Sequence, residues 1–114
     1  MAHPMAVDLP NGESIEVNDS EWMEIASEKW NRVEDNGHVE WIQSVRRHGD
    51  GRILVYVIYL PTSGILQTAG EILPARSDDV SHLITRLAQR FDVPTNVPHA
   101  CSEQYERYAR QLKR

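Results

Sequence analysis

The stretch Ile53-Leu54-Val55-Tyr56-Val57-Ile58-Tyr59-Leu60 decides how this chain folds. Eight uncharged β-formers stand between Asp50-Gly51 and Pro61-Thr62-Ser63-Gly64, turn chemistry on both sides. Such a run reads as a strand buried on both faces, so the chain is a packed domain and not a tail or linker. Working outward, His38–Arg47 and Ile65–Leu73 flank it across short turns. Three adjacent strands joined this way predict an antiparallel meander over residues 38–73. Ser77-Asp78-Asp79 then opens an amphipathic helix over 78–91. Its Val80, Leu83, Ile84, Leu87, Ala88 and Phe91 recur at helical spacing. Leu83, Ile84 and Leu87 are expected to bury against Leu54, Val55, Tyr56 and Val57. Pro94 and Pro98 predict an extended connector, and Ser102–Lys113 a last helix with Tyr105, Tyr108, Ala109 and Leu112 inward.

The N-terminal third reads less plainly. Pro10-Asn11-Gly12 between Ala6–Leu9 and Ser14–Val17 is a hairpin signal. Asn18-Asp19-Ser20-Glu21 supplies helix-start chemistry, and Trp22, Ile25, Ala26 and Trp30 follow at helical spacing. A short helix from about Ser20 is predicted. Either it runs to Glu34 and stops at Asn36-Gly37, or it ends near Glu28 and Lys29–Val33 is a strand. The fold class is therefore α+β: a small twisted antiparallel sheet of four to six strands, packed by the 78–91 helix, with a short N-terminal and a C-terminal helix.

At 114 residues the chain suits a single globular domain spanning 1–114. One cysteine, Cys101, excludes an internal disulfide framework and points to a reducing cytoplasm. Met1–Asp8 has neither basic cluster nor apolar core, so no signal peptide is read there. Residues 53–70 lack charge, but proline, glycine and polar residues fill their second half, so a membrane span is rejected. The net charge of −5 is uneven: residues 1–50 carry 11 acids and 4 bases, and residues 51–114 carry 6 acids and 8 bases. An acidic whole disfavours non-specific nucleic-acid binding, though not a local basic patch.

Few residues carry chemistry. Arg46, Arg47, His48 and Arg52 cluster around one turn and suit phosphate or base edges. On that reading, replacing Arg46 and Arg47 together with alanine should abolish binding and leave the thermal midpoint nearly unchanged. The bland alternative is a solvated hairpin tip whose charges protect the sheet. His99 and Cys101 are two soft ligands where a closed zinc site needs four, so no metal or other cofactor is expected. Cys101 lacks a positioned base, and Asp78 and Asp79 fit a helix start better than acid–base work. His82 lies off its helix's apolar stripe, and His3 and His38 have no nearby partners. Trp22, Trp30 and Trp41 are assigned to core packing. Tyr56 and Tyr59 fall on opposite faces of their strand. No enzyme activity is expected.

The segment Val17–Asn31, with Gly12 before it, resembles the N-terminal region of phage-type HNH endonucleases, which share modules with the Apetala-type (ethylene-response-factor-like) DNA-binding domain. Gly12, Val17, Asp19, Ile25, Lys29 and Trp30 fall in the family's order, and Val45-Arg46-Arg47 and Gly49-Asp50-Gly51-Arg52 match its Arg pair and Gly-basic turn. The resemblance covers about residues 6–60. It implies a sheet scaffold in which Lys29-Trp30 opens a strand. The catalytic His and Asn do not follow: Val55–Pro61 holds no histidine. The resemblance thus implies a small non-catalytic nucleic-acid-binding or regulatory module using Arg46, Arg47 and Arg52 on double-stranded DNA. Two alternatives stand beside it: a protein-interaction module whose acidic N-terminal half engages a basic partner, and a structural homodimer.

Overall fold

The computed structural model describes residues 5–35, 37–62 and 64–112. His3, Asn36, Ser63 and Lys113, which enter the readings above, lie outside them. Six strands precede two helices: β1 (Met5–Asp8), β2 (Ser14–Val17), β3 (Trp22–Glu34), β4 (Gly37–His48), β5 (Ile53–Leu60), β6 (Gln67–Leu73), α1 (Val80–Arg90) and α2 (Asn96–Leu112). The chain is α+β. β3-β4-β5-β6 form one antiparallel sheet in sequence order, and β1-β2 form a separate hairpin.

The apolar run has the predicted two-sided burial, and the sheet is the middle of three layers. Its side chains alternate between faces. Val55 and Val57 meet α1's Leu83, Ile84 and Leu87, with α2's Val97 and Cys101 in the same cluster. Leu54, Tyr56 and Ile58 turn the other way, against Val7, Val17 and Trp22. The expectation that Leu54 and Tyr56 also pack under α1 is corrected, because the strand's pleat gives them to the N-terminal hairpin. That hairpin sits close. A Cβ built on Gly70 would lie 2.6 Å from Val7 Cγ1 and 3.1 Å from Tyr56 Cβ. Gly70→Ala should therefore cost about 1–3 kcal/mol by overpacking, read as a lower urea midpoint. A neutral substitution would show that the hairpin rides loosely.

The predicted N-terminal helix is a strand. Asn18 does act as a cap: its Oδ1 accepts from the Glu21 N–H at 2.9 Å, and its carbonyl accepts from the Trp22 N–H at 3.0 Å. The turn it caps ends after one cycle, and β3 begins at Trp22. A register shift between Glu24 and Ala26 leaves Ile25 as a bulge. Before the bulge Trp22 faces the hairpin; after it Ala26 and Trp30 face the helices. One extra residue thus turned a period of two into an apparent helical spacing. Lys29 and Trp30 lie inside this strand and do not open it. The predicted 94–98 connector is also shorter than expected, since α2 starts at Asn96 and takes Pro98 into its first turn, where an N–H has no helical acceptor to lose.

Candidate functional site

The three arginines singled out from the sequence do not share a rim. Arg46 pairs with Leu54 in register and Arg47 with Ile53, so the two side chains leave opposite faces. Arg46 is largely buried, its side chain 14% exposed. It donates to the Tyr56 hydroxyl at 2.9 Å, to Asp19 at 2.6 Å and to the Trp22 carbonyl at 2.9 Å. Burial would lower its pKa, but the bonds to Asp19 and Tyr56 outweigh that and the net shift is upward. Arg46 is thus a staple between the 18–22 turn and the sheet, not part of a solvated hairpin tip. Arg52 donates to Asp50 at 2.8 Å and lies over the Trp22 ring at 5.4 Å. Asp50's carboxyl is held below its usual range, chiefly by the Arg52 backbone N–H. Arg47 has no ion pair among the described residues. It lines a groove of about 890 Å³ with Arg76, Tyr105 and Tyr108, where Asp50, Asp78 and Glu106 offset the arginines.

A second cleft, of about 570 Å³, lies at the other end of the sheet beside Trp41, Tyr59 and Phe91. Trp41 stacks on Tyr59 at 5.8 Å, and Arg32 covers its ring at 5.4 Å. With Trp41 only 2% exposed, this aromatic wall is already occupied by the protein's own side chains. Cys101 is fully buried, and burial pushes its thiol up to about 12. No helix is long and apolar enough to cross a membrane, and no group of three or more metal-ligating side chains assembles among the described residues.

The feature the sequence did not disclose is the outer edge of β3. This strand is at the border of the sheet, and its last turn-proximal residues outrun the core: β5 pairs with β4 only from Glu40 onward, and with Val39 still buried in the helix-side cluster, Val33–Glu34 and Gly37–His38 form a projecting two-stranded ribbon. α2 reaches the edge at one point. The Ser27 N–H donates to Gln104 Oε1 at 3.0 Å, and Gln104 Nε2 donates to the Ser27 carbonyl at 3.1 Å. The side-chain amide thereby occupies both outward backbone groups as a neighbouring strand would. In an antiparallel pair, outward groups recur at every second residue, here at Lys29, Asn31 and Val33. Those groups have no partner among the described residues. Trp30 and Val33 beside them are 37% and 73% exposed, so the assignment of Trp30 to the core is corrected: it stands on the border strand, with a neighbouring strand on one side only. A lone glutamine on an amphipathic helix carries no signal of this role in the sequence.

Compared with known proteins, the chain matches no family model, no curated protein and no solved structure.

Proposed function

We propose that the chain is a non-catalytic protein-interaction module that accepts an extended segment along the β3 edge from Lys29 to Val33. The observation that supports it is the Gln104 amide on Ser27. The edge is closed there by a dedicated side chain and left open from Lys29 to Val33. An open edge offers main-chain hydrogen bonds for affinity and alternating side chains for selectivity. The neighbouring acids Glu28 and Glu34 and the bases Lys29 and Arg32 make the selectivity one of charge order along the segment, a narrower form of recognition than an acidic half meeting a basic partner.

Duplex DNA binding draws less support from the same geometry, since Arg46 and Arg52 are engaged within the protein. With Arg47 as the phosphate contact, the log–log salt slope of any DNA binding should be only about −0.9. A slope near the value of about −2.7 expected for three contacts would favour the DNA reading instead.

The test of strand acceptance is selection of displayed random peptides on the wild-type chain alone, followed by measurement of each selected peptide on Asn31→Pro, which removes one outward N–H. Selected peptides should lose binding to the proline variant and should slow amide exchange at Lys29, Asn31 and Val33. If every selected peptide binds the variant equally, the edge is not the binding element.

A further inference from the structure

We infer that a second copy of this chain occupies the edge, its β3 antiparallel to the first across a two-fold axis at Asn31. The inference rests on the reading of β3 as a strand acceptor and names the partner. The free window is bounded on both sides. Gln104 holds both outward groups of Ser27, and the strand ends at Glu34, with Asp35 already in the turn. The midpoint between Ser27 and Asp35 is Asn31. A two-fold there sets Asn31 against the partner's Asn31, and Lys29 against the partner's Val33, in both directions. All three outward N–H groups and all three outward carbonyls of each chain then find partners, because directly opposed residues of this type exchange both bonds. The partner's turn falls opposite Ser27, so its strand stops where Gln104 blocks the way.

Other registers fail on named residues. An axis at Lys29 places the partner's Asn31 on the blocked Ser27 and sets two lysines face to face. An axis at Arg32 opposes two arginines. An axis at Val33 leaves Lys29 unpaired. With the axis at Asn31, Trp30 lies opposite the partner's Arg32, a pairing of ring and guanidinium that the chain already makes internally between Trp41 and Arg32. Glu28 meets the partner's Glu34, but Gln104 and Arg32 respectively already hold these carboxylates, at 3.3 and 2.7 Å. The two Ser27 positions lie about 27 Å apart along the strands, eight residues at the extended rise, so the two Gln104 contacts do not collide. The assembly is a continuous eight-stranded sheet with both helix layers on one side.

The test uses the full chain. Sedimentation from low micromolar to near-millimolar concentration should show a monomer–dimer equilibrium, and Asn31→Pro should weaken it at least tenfold. In a second experiment, Asn31→Cys, Lys29→Cys and Val33→Cys are each exposed to mild oxidant, Cys101 being buried and out of reach. Asn31→Cys should couple to itself, since opposed Cα atoms about 5.5 Å apart admit a disulfide, whereas the other two should not. This holds the inference to account even where the proline variant fails to fold. A wild-type chain that stays monomeric throughout, or Lys29→Cys or Val33→Cys coupling as fast as Asn31→Cys, overturns it. A monomer that still selects Asn31-dependent peptides would sink the second copy and leave strand acceptance standing. Peptides that ignore Asn31 would sink both.

Discussion

Alanine in place of Trp41 should lower stability by about 3–5 kcal/mol, the range for truncating a buried tryptophan. Trp41 is where the projecting ribbon joins the three-layered body. Its indole N–H donates to the Phe91 carbonyl at 2.9 Å, just past the end of α1, and its ring lies between Tyr59 and the Arg32 guanidinium. Truncation removes the stack, opens a cavity beside α1 and strands the Phe91 carbonyl without its donor. Urea unfolding should show the midpoint falling with the slope unchanged. Trp41→Phe separates the contributions, since it keeps an aromatic ring and loses the indole donor. It should recover most of the loss, leaving about 1–3 kcal/mol for the missing hydrogen bond and the altered fit. If alanine costs less than about 1 kcal/mol, the ribbon is not rooted at this residue.

Arg46→Ala should cost about 2–6 kcal/mol, because it leaves the buried Tyr56 hydroxyl and the Trp22 carbonyl without their donor, at about 1–3 kcal/mol each. Asp19 is 80% exposed, so Asp19→Asn should stay below about 1 kcal/mol. Arg47→Ala, on the other face, should fall within about 0.5 kcal/mol of wild type. Thermal melts of the three variants decide the matter. Equal, small effects for Arg46 and Arg47 would restore the picture of a solvated arginine pair and reopen that turn as a nucleic-acid contact. A large effect confined to Arg46 means that loss of DNA binding in an Arg46 variant reports unfolding and says nothing about phosphates.

Much of the architecture is readable from local pattern. The charge-free run at 53–60 and the apolar stripe from Val80 to Ala88 are each decided by nearest neighbours and took their expected form, whereas the strand expected from Ile65 begins at Gln67 and leaves Ile65 and Leu66 exposed. β3 misled for a definite reason. A capped turn and a bulge at Ile25 together imitate a helix, and nothing within the segment says that β4 will pair with it for twelve residues. The staple at Arg46 was hidden in the same way. Its partners, Asp19, Trp22 and Tyr56, come from two other segments. Gln43 is a similar case: it is wholly buried, donates to the Ile84 carbonyl at 2.6 Å and leaves its own Oε1 unpartnered, a placement no local pattern announces.

The closure of β3 by Gln104 also has a history in time. The two residues are 77 positions apart in the chain. On a ribosome adding about 5–20 residues per second, β3 emerges roughly 4–15 s before the glutamine that covers it. During that interval Ser27 is as open as Asn31, and the window that favours a single register in the finished protein is not yet bounded. Neighbouring nascent chains on one message could pair at any offset the charges allow. On the proposed pairing of two copies, Gln104 arrives as a late check on strand register, and Gln104→Ala in the full chain should associate with less defined register than wild type.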